Sequence, residues 1–491
     1  MERHANHLEI KNYETRRSEI SGSEEPGNNP LFLENQKTEV ITMTDNKIKV
    51  YENQNENQNG EQDKNVKRQT VAGGTFIFAK TSIGLTILTF GVRASQFGMV
   101  WFLVFSAICA VINIWSEIRL VQSVDNIKER EYSKVVEKLL GKVWAKILNV
   151  FIFLYCLLAV MSYISLMYSL IGRFIHAIWY YDKYELFDDY NKAVWNKYQY
   201  KCPIIFGYSI ILLFISLKRN MVGLNFAGYS GIVAVTYSVL VVVCQCHKYY
   251  NWYHDNERIP GDKSTYPNYW DFSKAFTKKL EFFKGMAALF AAYVQHSNVF
   301  PVYAGFGDDV EGKNKVIKAS YYGNIFVAIY HSLIIVCAFL TEPLNPEDLI
   351  IYRVNRFGGR DVWMSIAKLC CSFCIFFSTP LLYFGLRSTV INTISDGELT
   401  TKYNLIITIS VYLFSATIGI VYDNILNYIS YLGGFTSIVF SYLYPIILYI
   451  ISNGKGWFYW KNLLELIIAT ILSLIGYIAG ILTIIDDVKG D

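Results

Sequence analysis

The sequence predicts an all-α integral membrane protein with about eleven transmembrane helices. Three observations predict it. Apolar residues gather in long, nearly charge-free runs such as Val150–Met167, Ile204–Leu217, Ile325–Leu340 and Leu463–Ile485. Hydrophobic residues make up 53% of the 491 positions and charged residues 18%, below the roughly 25% usual in soluble domains. Lys and Arg concentrate in alternate connections, the asymmetry that orients membrane proteins.

Each span follows from length and apolarity. A run of about 20 residues crosses a hydrocarbon core of about 30 Å at 1.5 Å per residue. The spans are expected at Val71–Val92, Gly98–Leu120, Ile147–Ile171, Pro203–Leu217, Gly223–Cys246 and Glu281–Gly305. The series continues with Ala319–Leu340, Val362–Gly385, Tyr403–Tyr422, Leu426–Ile451 and Trp460–Ile485. Between the second and third, Ser133–Lys146 places Val135, Val136, Leu139, Leu140 and Val143 at helical spacing, the pattern of an amphipathic surface helix or a connector.

Orientation follows from the basic residues. Lys64, Lys67 and Arg68, the seven bases from Arg119 to Lys146, Lys218 and Arg219, Lys313 to Lys318, Arg387 and Lys402, and Lys455 and Lys461 all fall on one side. That side is cytosolic if the N-terminus is. The opposite connections, Ala177–Lys201, His247–Lys279 and Thr341–Asp361, mix their bases with acids.

Three regions result. Residues 1–70, polar and rich in Asn, Gln and Glu with no apolar signal segment, are expected to be a disordered cytosolic tail, since that composition buries too little surface to offset chain entropy. Residues 71–485 form the membrane domain. Residues 486–491 form a short non-cytosolic tail. No basic patch with interleaved aromatics points to nucleic acid. The nine cysteines lie mostly within apolar runs, where Cys acts as a small hydrophobe, and neither a metal site nor a cofactor is expected.

A protein that moves a polar solute must present backbone polar groups at membrane depth, which requires a broken helix inside protein. In many transporters two inverted repeats carry such breaks at matching positions. The first span holds Lys80-Thr81-Ser82-Ile83-Gly84-Leu85-Thr86, with Lys80 about 13 Å in from Val71. The sixth holds Gln295-His296-Ser297-Asn298-Val299-Phe300-Pro301. The two lie five spans apart, as a five-plus-five inverted repeat requires; ordinary Gly and Pro kinks are the plainer alternative. A stub with free N–H groups suits a carboxylate, and one with free carbonyls suits an ammonium or a metal cation. An α-amino acid carries both groups, although amines and small peptides stay open.

Five stretches in order, Lys80–Gly98, Ser216–Val243, Phe290–Phe306, Phe376–Val390 and Tyr422–Pro445, resemble the amino acid/auxin permease family of the amino acid–polyamine–organocation superfamily. The resemblance runs from about Val71 to Ile485. It implies a leucine-transporter-type fold, the five-plus-five repeat plus one extra helix, with a substrate site between the first, third, sixth and eighth spans. Coupling in the family is to protons, sometimes to sodium. Thr86 stands where the family usually has a second glycine, and Gly91 where it usually has proline.

Site residues follow. Ser82, Ile83, Gly84, Thr86, Tyr163, His296, Ser297 and Asn298 are expected around an amino acid substrate, and Lys80, Ser378 and Thr379 around the coupling ion, H+ or Na+. Each has an alternative. Lys80 either holds a cation site permanently or snorkels to the interface. His296 either titrates or serves as a neutral partner for broken backbone. Ser378 and Thr379, beside Pro380, either line a site or bond back to their own helix. Tyr163 and Tyr168 either wall the pocket or pack. His331 reads as a buried, satisfied histidine.

The first reading is secondary active transport of amino acids by symport with protons, and the second is an amino acid sensor of the same fold. A membrane-bound acyltransferase turning on His331 is the third. The partners are a small-molecule substrate and the lipid bilayer, not nucleic acid. Plasma membrane and acidic vacuolar or lysosome-like membranes both fit the topology.

Overall fold

The computed structural model describes residues 69–489, apart from 126, 128, 185, 218–224, 256–269, 271–280, 308–309, 343–345, 354, 356, 358, 395–400 and 423. The tail expected over 1–70 lies outside the described residues except for Gln69 and Thr70, as do Lys218 and Arg219 and most of the connection His247–Lys279. Among the described residues every regular element is helical.

Nine of these helices are long and apolar enough to cross a membrane, and a tenth crossing comes from a bent pair. That pair is Val71–Ser82, here α1, and Thr86–Phe97, whose latter part is α2, Phe90–Phe97. Then come α3, Met99–Gln122, the short α4, Tyr132–Leu140, and the long α5, Lys142–Ile175. The fourth and fifth spans are α6, Tyr198–Ser216, and α7, Asn225–Asp255. The expected sixth span is two short helices, α8, Glu281–Ala292, and α9, Val299–Phe306. At 1.5 Å per residue these are about 18 and 12 Å long, so neither crosses alone. The seventh, eighth and ninth spans are α10, Val310–Thr341, α11, Val362–Ile394, and α12, Thr401–Val421. The tenth runs from α13, Ile425–Tyr431, through two π-helical turns, Leu432–Ser437 and Val439–Leu443, into α14, Tyr444–Ser452. The last helix is α15, Trp460–Lys489, which carries helical structure past residue 485.

The third span is longer than expected, because α5 continues through a π turn at His176–Tyr180 to give 39 helical residues. The amphipathic segment is divided. Gly141 adopts φ +94°, a backbone that L side chains rarely take, so α4 stops there and Lys142–Lys146 belong to α5. Val135 and Val136 of α4 are fully buried in a protein cluster with Phe300 and Phe440, and Tyr132 donates to the Phe440 carbonyl at 2.6 Å. Val143 points outward. The apolar stripe thus docks on the bundle instead of lying free on a membrane surface.

Packing places α11 against α5 and α7, and α10 against α1 and α3. The outward faces remain apolar: Ile211, Phe214, Val233, Leu413 and Ile471 are all exposed. A soluble fold would bury such a belt, whereas lipid solvates it. The tenth span approaches its neighbours at glycines. A Cβ on Gly434 would sit 2.7 Å from the Gly476 carbonyl oxygen and 3.0 Å from the Gly480 nitrogen of α15, and one on Gly433 would overlap the Ala287 backbone of α8. Small residues let membrane helices meet backbone to backbone in this way.

Candidate functional site

The first break forms where α1 gives out. The Ile83 N–H still reaches the Ala79 carbonyl at 2.8 Å, but Ile83 itself has ψ 67° and the Gly84 N–H turns to the Ser82 carbonyl. A 3-10 turn, Leu85–Thr89, follows before α2, and the two halves are bent by 47°. Ser82 is buried and its hydroxyl has no hydrogen-bond partner. Gly84 faces the third span: a Cβ there would lie 3.9 Å from the Tyr163 hydroxyl. Ile83 is buried and Thr86 half-buried beside them.

The second break lies between α8 and α9. Helical bonding ends near Tyr293, Gln295 takes φ −140°, and His296–Asn298 make one 3-10 turn. Pro301 does not kink a continuous helix here. It stands in the first turn of α9, where the backbone N–H would have no intrahelical partner in any case. Asn298 closes the gap between the breaks: its amide donates to the Thr81 hydroxyl, which in turn donates to the Ile77 carbonyl at 2.8 Å. Ser297 is exposed and His296 fully buried.

Sequence reasoning passed over the polar cluster behind the second break. Glu117, in the apolar α3, is fully buried. One carboxylate oxygen accepts from Asn113 Nδ2 at 3.0 Å, the other from Asn324 Nδ2 at 2.9 Å and from the Ser320 hydroxyl. Asn324 Oδ1 accepts from Asn113 at 2.8 Å and from Gln295 Nε2 at 2.6 Å. Ser116 directs its hydroxyl proton to the Ser441 carbonyl, so the hydrogen-bond network assigns His296 Nε2, 3.1 Å away, as donor to Ser116. His296 Nδ1, Asn113 Oδ1 and Gln295 Oε1 are left without partners. The sequence signal was present: Asn113, Ser116 and Glu117 recur at helical spacing along one face of an otherwise apolar run.

The expected ion-coupling residues divide. Thr379 donates back to the Ile375 carbonyl at 2.8 Å, the ordinary bond of a helix threonine. Ser378 is half-buried with Cys374 Sγ 3.9 Å away. Lys80 is half-buried in the last turn of α1, where a cation complements the carbonyl end of a helix. Tyr168 packs: its hydroxyl donates to the Trp195 carbonyl and its ring stacks on Trp195 at 4.8 Å. Tyr163, half-buried at Gly84, does face the break. His331 is buried but not satisfied. Both ring nitrogens lack partners, and the ring sits edge-on to Phe90 at 4.9 Å and Tyr293 at 4.8 Å.

On the far side of the breaks, charges tie the second half of the first span to the start of the sixth. Buried Arg93 of α2 lies 3.5 Å from Glu281 of α8, and Lys284 pairs with Asp486 of α15. In the connection from α10 to α11, outside the spans, burial raises the Glu347 carboxyl above the usual carboxylate range, while Arg173 opposes the rise. Asp348 is likewise raised by burial and opposed by Arg93 and Arg173.

Membrane-length helices, a lipid-facing apolar belt and two facing helix breaks define the class: a multi-spanning integral membrane protein. The chain belongs to the transmembrane amino acid transporter protein family, whose model matches residues 67–486. The family is one of transporters, not enzymes, which removes the acyltransferase reading of His331. The chain is similar to vacuolar amino acid transporter 2 of Saccharomyces cerevisiae, 22% identical over 297 residues that cover 56% of each protein. It is also similar to neutral amino acid transporter 9 of Rattus norvegicus, 27% identical over 154 residues, 31% of this chain and 27% of the rat protein. The chain thus spans about half the length of the first of these relatives and less of the second.

Proposed function

We propose that this protein is a proton-coupled secondary transporter of amino acids, with its substrate held where the first and sixth spans are broken. One observation carries the reading: Asn298 bridges to Thr81, so the two breaks meet. Around them stand the unpartnered Ser82 hydroxyl, the exposed Ser297 and the half-buried Tyr163. The carbonyl end of α1 carries the negative end of a helix dipole, suited to an ammonium, and the start of α9 carries a positive end, suited to a carboxylate. A zwitterionic amino acid fits between them.

In this reading α8 and α9 together make one crossing, the spans total eleven, and the first ten form two inverted halves of the leucine-transporter type. Rocking one group of helices against the other exposes the site alternately. The N-terminus is cytosolic. The names of the yeast and rat relatives support amino acids as cargo, and the yeast protein supports an acidic vacuole-like membrane, where a proton gradient is available.

The test is uptake by purified protein in liposomes, using labelled amino acids with and without an imposed pH gradient, in sodium and sodium-free buffers. Saturable uptake driven by the pH gradient in both buffers is the expected result. Folded protein that takes up none of them would overturn the proposal.

A further inference from the structure

We propose that Glu117 is the binding site of the coupled proton, and that Asn113 is the positioning residue whose side-chain amide turns over as the proton arrives and leaves. This rests on the proton-coupled reading above and names the group that reading requires.

The argument starts from burial. A carboxylate at membrane depth is expensive, and in membrane proteins such groups are found on ion and proton pathways. Structural carboxylates in spans are commonly offset by a cation, but among the described residues no Lys or Arg pairs with Glu117. Arg119, two residues on, turns to Glu465 of α15. The titratable groups facing Glu117 are neutral-type: Tyr442 from the tenth span, and His296, whose bond goes to the adjacent Ser116. From α10 it meets only Ser320 and Asn324.

The hydrogen-bond inventory then shows what the cluster lacks. Both N–H bonds of Asn113 are used, on Glu117 and on Asn324 Oδ1. Both of Asn324 are used, on Glu117 and on the Ser320 carbonyl at 3.0 Å. The atoms left over, Asn113 Oδ1 and Gln295 Oε1, are both acceptors. The cluster is therefore short of donors, and a proton on Glu117 supplies one.

A single rotation accommodates it. When a proton bonds to the Glu117 oxygen beside Asn113, that oxygen becomes a donor. The Asn113 amide, turned over, then presents Oδ1 to it. Asn324 Oδ1 loses its bond from Asn113 but keeps the one from Gln295. On release the O–H bond breaks, the proton leaves to water, and the amide turns back. The turn keeps the Glu117–Asn113 bond in both states and trades the unpartnered Asn113 Oδ1 of one for the unpartnered Asn113 Nδ2 of the other, so the two states stay comparable in cost. Gln295 immediately precedes the second break, so Glu117 is linked to the substrate region through Asn324 and Gln295 by two hydrogen bonds.

The experiment combines flux with a direct reading of the carboxyl group. Wild type, Glu117→Gln, Glu117→Asp and Asn113→Leu are reconstituted in liposomes. Infrared difference spectra across a pH step are expected to show a protonated-carboxyl band in wild type that Glu117→Gln lacks and Asn113→Leu displaces in pH midpoint. Glu117→Gln, which mimics the protonated state, is expected to keep substrate exchange within about threefold but lose at least about tenfold of gradient-driven accumulation. Glu117→Asp is expected to keep accumulation with a shifted pH profile. Gradient-driven accumulation that survives Glu117→Gln would overturn the proposal. If that variant does not fold, an unshifted pH profile in Glu117→Asp overturns it instead. A titrating band in a wild type that takes up no amino acid would sink the amino acid reading and leave the proton site standing. Uptake without the band would do the reverse.

Discussion

The Asn298 amide donates to the Thr81 hydroxyl, and this bond joins two breaks that are 217 residues apart in sequence. Each break interrupts its own helix, and this bond ties the two together. Removing Asn298 is expected to weaken substrate binding more than folding, because Thr81 keeps its bond to Ile77. Losing one buried hydrogen bond costs about 1–3 kcal/mol. Asn298→Ala and Thr81→Val are therefore each expected to raise the KM for uptake by about 5- to 100-fold. The double variant should be no worse than the poorer single one. Additive losses in the measured KM values would show that the two residues act separately.

The connection after α10 gives a pH prediction with a definite sign. Burial raises the Asp348 and Glu347 carboxyls in the folded protein, so the folded state holds those protons more tightly than the unfolded chain does. Stability linked to them is fully present below the ordinary carboxylate pKa of about 4 and is lost as pH rises toward the raised folded values. Asp348→Asn removes that loss. Thermal midpoints in detergent should match wild type near pH 4 and move progressively above it as pH rises toward neutrality. A variant equally stable or less stable across the whole range would mean that Arg93 and Arg173 outweigh burial.

The glycines of the tenth span make a prediction about packing. Gly434→Ala would place a methyl group 2.7 Å from the backbone of Gly476, which cannot move aside as a side-chain tip could. Overpacking of this kind costs about 1–3 kcal/mol. Gly207 of α6 has nothing within 4 Å of where its Cβ would be. Gly207→Ala should be neutral or gain up to about 1 kcal/mol from helix propensity. Thermal unfolding of both variants checks the contrast, and equal midpoints would rule out a tight crossing.

The parts of this structure that were legible in the sequence are those that depend on composition over many residues. Apolar runs gave the spans, and clustered Gly, Ser, Thr and Pro gave the breaks, because bilayer thickness and backbone satisfaction act on whole segments. Features set by single contacts were not legible. The end of α4 depends on the backbone angle of Gly141, and the extension of α5 on how its ends pack. Thr379 and Asn298 have similar polar side chains, yet one bonds its own helix and the other crosses to Thr81, a difference that only the register of neighbouring helices decides. Glu117 was visible as a lone acid in an apolar run, but its meaning came from Ser320 and Asn324, some two hundred residues away.

Lys80 gives a prediction about which ion drives transport. It sits in the last turn of α1, beside the break, where its ammonium is expected to complement the carbonyl end of the helix as a metal cation would. In the eighth span the Thr379 hydroxyl donates its proton to the Ile375 carbonyl. A second positive charge would have to enter against Lys80. Uptake by wild type should therefore be the same, within about twofold, when sodium is replaced by choline. Lys80→Ala removes the resident charge and opens the position. It should lower uptake in choline and recover part of it as sodium is added. Thr379→Val should leave both rates unchanged, since in this reading Lys80 and not Thr379 fills the cation position. Sodium-dependent uptake by the wild type, or sodium sensitivity lost in Thr379→Val, would assign the cation role to the eighth span and leave Lys80 as an anchor at the membrane interface.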